Sequence, residues 1–193
     1  MADPIFEVED GTGKSDANAL ISVDDADQIM ENYSSSTDWS GVEDVEGESE
    51  EEKAARQLAA KENAIREATR YLNLHYVWDG YKILYTQACQ WPRYEMYDED
   101  GWVVASNIVP ERVKEACAYL ALKVIASDIL LEDFDNESRV KKTKDVVGPL
   151  TEEREYVDGG ESPEKTYQVV DRLIAPFTIG DGEVFHETNL ERG

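Results

Sequence analysis

The run Gly11-Thr12-Gly13-Lys14-Ser15 ends like a phosphate loop, in which glycine backbone amides cradle an anion while a lysine and a hydroxyl complete the site. The match stops there. Such a loop needs a further glycine five positions before Gly13, where this chain has Val8, and an apolar strand in front, where it has acids. A turn is the better reading. Asp98, Asp100 and Gly101 fit positions three, five and six of a calcium-binding loop, but position one falls on Met96 and position twelve on Asn107, so the first and last carboxylates are missing. His75 and His186 have no nucleophile or carboxylate at a recognisable offset. No catalytic, cofactor-binding or metal-binding residue is assigned, and the chain is not expected to be an enzyme.

Binding chemistry has more to work with. Trp91 and Trp102, with Tyr94 and Tyr97, have the side chains of a base-stacking platform for single-stranded nucleic acid. Only Arg93 adds positive charge nearby, which favours the plainer reading of a loop pinned to the core by large rings. Lys142 and Lys144 would share one face of a strand, suited to a phosphate or an acidic partner, and equally to a solvated strand edge guarded by lysines.

Charge narrows the function classes further. The formal net charge is −24, from 43 acidic and 19 basic side chains, which opposes sequence-independent adhesion to a phosphate backbone. The charge is uneven: 17 acids and 3 bases in residues 1–60 give −14, 10 and 8 in residues 61–130 give −2, and 16 and 8 in the remainder give −8. The middle is the balanced, foldable part. Two cysteines, Cys89 and Cys117, are too few for a disulfide framework or a four-ligand zinc site, and reduced thiols in a cytosol are expected. No apolar run approaches the roughly 18–20 residues a membrane span needs, and the acidic start has no signal-peptide pattern, so neither export nor insertion is expected.

The elements that must position these residues follow from periodicity. Residues 1–21 read as an N-terminal extended arm with an alternating strand-like opening. Ser22 and Asp25 offer a capping box for a short helix carrying Val23, Ala26, Ile29, Met30 and Tyr33. An acidic loop, 34–52, follows, with one exposed-looking tryptophan, Trp39. Ser49 caps a long helix whose apolar face is Ala55, Leu58, Ala59, Ile65, Ala68 and Leu72, stopping near Tyr76. A short helix over residues 83–90 would end at Trp91-Pro92. Residues 94–105 read as a hairpin around Asp100-Gly101. Pro110 opens the strongest helix, with Val113, Ala116, Cys117, Leu120, Ala121, Val124 and Ile125 on one stripe. A strand pair is expected over 139–157, then a last helix from Pro163 with Val169, Val170, Leu173 and Ile174, closed by Pro176. The fold class is mainly α: a small helical bundle with a β-hairpin and extended arms, α+β at the margins. Its core spans 22–175, and 176–193 is a polar tail.

Several of these stretches, taken together and in order, resemble a known family. The glycine turn followed by Ala17-Asn18-Ala19-Leu20-Ile21-Ser22, then Ala68-Thr69-Arg70-Tyr71-Leu72, Gln87-Ala88-Cys89-Gln90-Trp91-Pro92-Arg93, Tyr97-Asp98-Glu99-Asp100-Gly101 and Ile108-Val109-Pro110, is similar to tailed-phage head-to-tail connector (adaptor) proteins. Many of those carry the label DnaT-like single-stranded DNA-binding protein. The resemblance covers roughly residues 5–175; the acidic insert 34–52 and the acidic tail depart from it. It implies a structural virion protein of the phage neck, assembled in the host cytoplasm, whose copies form a twelve-fold homo-oligomeric ring below the portal protein. That ring would extend the DNA channel, pass double-stranded DNA without sequence-specific binding, and attach the next neck or tail protein, with no membrane involved. Subunit and partner contacts would fall on Trp91, Arg93, Tyr97, Trp102, Lys142 and Lys144, and portal docking on Pro176, Phe177, Ile179 and Phe185. The label supplies the alternative, a single-stranded DNA-binding replication accessory protein.

Overall fold

The computed structural model describes residues 5–33, 39, 45–131, 142–147, 150–155 and 166–179. Four helices dominate: α1 (Val23–Tyr33), α2 (Glu50–His75), α3 (Glu111–Ile125) and α4 (Gln168–Ile174), the last running into a 3₁₀ turn at Ala175–Phe177. Two antiparallel pairs accompany them, β1 (Tyr81–Lys82) with β2 (Arg93–Tyr94), and β3 (Lys142–Val147) with β4 (Leu150–Glu155). The mainly helical class read from periodicity is the observed one. The chain divides into two compact units, Met1–Leu130 with Tyr167–Gly193, and Leu131–Thr166.

Helix starts follow their capping chemistry. At α1 the Asp25 amide donates to Ser22 Oγ at 3.0 Å. At α2 the Ser49 side chain accepts from the Glu52 amide while the Glu52 carboxylate accepts from the Ser49 amide at 3.0 Å, a complete capping box. Glu50, Glu51 and Glu52 then sit where the exposed amides favour negative charge. The acidic loop therefore ends at Ser49 rather than Glu52. At α3 the Pro110 carbonyl accepts from the amides of Val113 and Lys114, and Pro110 has no amide to leave unpaired.

The core lies around α3, which packs against α1, α2 and α4. Three-sided packing widens its buried arc: Ala118 joins Val113, Ala116, Cys117, Leu120 and Ala121 inside, whereas Val124 and Ile125, near its end, are half-buried. On α2 the buried residues are Ala64, Ile65, Ala68, Thr69, Tyr71 and Leu72. The expected apolar face is thus covered only in its second half; Ala55, Leu58 and Ala59 are exposed. Angle explains part of it and length the rest: at about 100° per residue Ala59 faces away from Ala68 and Ala55 is well off that line, whereas Leu58 shares the line of Ile65 and Leu72 and is exposed because α2 has 26 residues against 15 in α3, roughly 39 Å against 22 Å.

Four other expectations need correction. Residues 5–21 are not an extended arm: the amides of Asn18 and Ala19 donate to Glu7 O, Leu20 N donates to Thr69 Oγ1 on α2, and Ala19, Leu20 and Ile21 are buried. Trp39 is buried, its indole N–H donating to Asp27 on α1 with Lys61 over its ring. Residues 83–90 do not form a helix, because their donors find other acceptors: Leu84 N binds the Gln87 side chain and Ala88 N reaches Lys14 O in the N-terminal loop. The last helix begins at Gln168; Pro163 lies outside the described residues.

In the expected hairpin 94–105, Tyr97 and Val103 form a single antiparallel bridge, and Tyr94 instead pairs with Tyr81. In the Leu131–Thr166 unit the β3–β4 register sets Lys142 opposite Glu155 and Lys144 opposite Glu153. No helix among the described residues is long and apolar enough to cross a membrane.

Both thiols belong to the packed interior. Cys117 is 3.6 Å from the Thr69 hydroxyl across the α2–α3 contact, and Cys89 donates to Ala17 O. Burial pushes Cys89 up to about 11 and Cys117 up to about 12. Since the raised values favour the neutral thiols in the folded state, their contribution is intact below the unfolded thiol value and is lost as pH rises through the folded ones. Native protein at pH 8 is therefore expected to resist iodoacetamide at both cysteines, whereas urea-unfolded protein takes up two equivalents, counted by mass. Denaturation midpoints should fall as pH is raised from 9 toward 12.

Candidate functional site

A buried arginine organises the segment between α2 and α3. Arg93 Nε donates to Asp79 O at 2.6 Å, one terminal nitrogen to Gly80 O at 2.8 Å and Trp78 O at 3.3 Å, and the other to Gln90 O and Gln90 Oε1, each at 3.1 Å. Its planar fork thus collects carbonyls from the bend at residues 78–80 and from Gln90, three residues before it in the chain. Burial pulls its pKa below the usual arginine value, with the Asp79 charge acting the other way; a guanidinium stays protonated even so. Gln87 plays the neutral counterpart, its amide nitrogen donating to Cys89 O and Pro92 O, both at 3.0 Å.

Rings close the other side. Trp91 meets Trp78 and Phe177 edge-on, with ring centroids 5.5 Å and 5.6 Å apart, and Tyr71 stacks on His75 at 4.6 Å. Trp91 is fully buried, and its indole N–H has no hydrogen-bond partner among the described residues, a cost of about 1–3 kcal/mol that the ring packing must offset. The C-terminal segment enters the same cluster: Asp79 N donates to Phe177 O, Ile179 N donates to Val77 O, and Thr178 bridges to Trp78.

The residues singled out from sequence therefore divide. Trp91 and Arg93 are internal and have almost no surface to offer a partner. Phe177 is buried too, Pro176 is half-buried and Ile179 is partly exposed, so residues 176–179 are part of the core rather than of a free tail. Phe185 lies outside the described residues. Lys142 and Lys144 stand two apart on β3, in the other unit. Tyr97 and Trp102 are outward, Trp102 being 74% exposed, on a turn held by Asp98, whose carboxylate accepts from the amides of Asp100 and Trp102. Arg112 on α3 pairs with Glu99 and anchors that turn. Val103 beside them is exposed as well, as are Tyr81, Leu84, Tyr85 and Tyr94, of which Tyr81 and Tyr94 have ring centroids 5.4 Å apart. Tyr81, Leu84 and Tyr85 were missed because a tyrosine does not announce which side of a loop it will occupy.

The glycine loop has a different use from the one its spelling suggests. Gly11 and Gly13 adopt positive φ, and the amides of Gly11, Gly13 and Lys14 converge at 2.8–2.9 Å on the carboxylate of Glu9, which is buried. The concavity that would take a phosphate is filled by the chain's own anion. Lys14 is occupied as well, bound to Glu7 at 2.6 Å and to Val8 O. Among the described residues no group of acidic, histidine or cysteine side chains could hold a metal ion, and Asp98 spends its carboxylate on the turn itself.

Two substitutions test this framework. Arg93→Lys keeps the charge but has no fork to reach five oxygens on four residues, and should lose about 2 kcal/mol or more in urea denaturation. Gly11→Ala would place a Cβ 1.9 Å from Asn107 O at a φ of +94°, and should cost more than about 2 kcal/mol, whereas Gly101→Ala, in open space at +82°, should cost only about 1 kcal/mol.

A family model described as "Putative DnaT-like ssDNA binding protein" matches residues 5–193. No curated protein and no solved structure matches the chain. With all but its first four residues covered, the chain belongs to this DnaT-like family.

Proposed function

We propose that this chain is a structural head-to-tail adaptor, copies of which form a ring below a portal protein, extend its DNA channel and attach the next neck or tail component. The observation that carries the reading is an exposed aromatic surface in a setting hostile to phosphate. Tyr94, Tyr97 and Trp102 are bordered by Glu95, Asp98, Glu99 and Asp100. Three cations nearby have partners: Arg93 and Lys82 donate to backbone carbonyls and Arg112 pairs with Glu99. Elsewhere Lys14, Arg56, Lys61 and Lys114 are each tied to a carboxylate. Such a surface suits apolar contact with another protein, and an acidic ring wall suits a duplex that must slide rather than adhere. A rigid loop adds to it, since a partner then binds without the cost of ordering that loop.

The second reading, a single-stranded DNA-binding accessory protein, is favoured by the family's description together with the exposed rings. Binding of that kind rests on protein cations displacing the counterions condensed on the phosphates and should weaken steeply with salt.

The two readings part in one pair of measurements. Mixed with the portal of the same particle, the chain should give a complex whose mass corresponds to a closed ring of copies, and Trp102→Ala with Tyr97→Ala should weaken capture of the downstream component by roughly tenfold, about 1.4 kcal/mol. Fluorescence titration with an oligonucleotide at low salt should show no tight binding. Submicromolar, salt-sensitive association with the oligonucleotide, and no complex with the portal, would overturn the adaptor reading.

A further inference from the structure

The turn at residues 96–104 is closed from within and exposes its apolar side chains. Val104 N donates to Met96 O and Asp98 N to Trp102 O, each at 2.9 Å, Gly101 N donates to Asp98 O at 3.0 Å, and Met96 is buried. Tyr97 and Val103 face each other across the bridge between the two arms, and both are exposed, as is Trp102 next in the chain. A tryptophan held outward on a fixed turn sheds much water and loses little conformational freedom when a partner covers it, as interface hot spots do. What that partner carries is decided by charge.

We infer that this turn docks a protein segment that presents arginine, with a guanidinium over the Trp102 ring and carboxylates around it. This deepens the adaptor reading and rests on it for the occupant being a protein. Three observations select a cation. Residues 94–104 hold four acids and no base, whereas the remainder of residues 61–130 holds six acids and eight bases, so the acidity belongs to the turn and is not a share of the general excess. Around the ring the charge is fixed or free to be used: the Asp98 carboxylate accepts from the Trp102 amide at 2.8 Å, which places it at the foot of the indole, while Glu95 and Asp100 are exposed and have no cationic partner among the described residues. Rings elsewhere are served by the chain's own cations, Lys61 over Trp39, Arg66 over Phe6 and Lys123 over Tyr119; among the described residues Trp102 has none. The face of an indole attracts a cation through its quadrupole, and a guanidinium adds stacking and a fork for carboxylates, which suits arginine better than lysine. A phosphate backbone meets the opposite condition here, since the same carboxylates repel it.

The test uses the full chain without portal, so its failure and a failure to form the portal complex are told apart. A capped pentapeptide of alternating glycine and arginine is titrated at low salt, and binding is followed at the tryptophan indole N–H signals and the Gly101 and Val103 amide signals by NMR. The Trp102 indole signal should move saturably. Trp102→Phe should keep most of the affinity, whereas Trp102→Leu, which retains apolar area and loses the ring, should weaken it about fivefold. Glu95→Gln with Asp100→Gln should also weaken it about fivefold, and Glu50→Gln with Glu51→Gln, the same charge removed from the start of α2, should leave it unchanged. The turn variants should melt at the wild-type temperature, because each alters an exposed side chain. The inference is overturned by a Trp102 signal that ignores the arginine peptide, moves as far with the matching glutamate peptide or with oligothymidylate, or moves when the protein alone is concentrated. Affinity kept in Trp102→Leu, or lost equally on changing Glu50 and Glu51, would overturn it as well.

Discussion

The guanidinium of Arg93 is the point on which the segment between the two long helices depends. A chain that leaves a helix at His75 and re-enters one at Glu111 must cross the end of the bundle with its carbonyls facing inward, where water cannot satisfy them. Five donors in one plane answer several of those carbonyls at once, and each bond to a charged donor is worth more than a neutral one. With residues 78–80 and 90 fixed by one side chain, the Trp78 and Trp91 rings are set in place and Phe177 has a surface to close on. Desolvating the guanidinium is costly, which is why so many acceptors gather on it.

The same economy governs the charges elsewhere. A chain this acidic could be expected to repel itself apart, yet several carboxylates have structural duties: Glu9 fills the glycine nest, Asp98 closes its turn, Glu52 completes a helix cap and Asp27 receives both Trp39 and Lys61. The Ser49 amide and hydroxyl hold the Glu52 carboxyl below its ordinary range, and Arg112 does the same to Glu99. Carboxylates used this way help the fold only while ionised, so their help persists at neutral pH and fails as acid protonates them. The acidity is therefore partly architecture rather than only a repellent surface.

How far the sequence could be read depended on the range of the physics involved. Capping boxes at Ser22 and Ser49 and the proline before α3 are local, and they located the helix starts. What was not legible depends on neighbours distant in sequence. Residues 83–90 have the composition of a helix, but Gln87 bonds backward to Leu84 and forward to Pro92, and Ala88 is claimed by Lys14. The Trp-Pro-Arg run was recognisable as important, but whether it faces out or in is decided by which carbonyls surround Arg93. Phe177 read as tail because nothing near it in sequence signals that Trp91 lies in wait 86 positions earlier.

The overhang of α2 shows where such reading succeeds in kind and fails in assignment. Periodicity identified Leu58 and Ile65 as one face, and they are one face. Periodicity says only that a surface is to be covered, not by what. The bundle covers as much of α2 as the shorter α3 can reach, and the capping box and the Glu48–Arg56 pair keep the remaining turns helical without a packed neighbour. A helix end so well secured by its own side chains keeps its helical shape with Leu58 outward, so the pattern that spells the helix and the packing that covers it are separate matters.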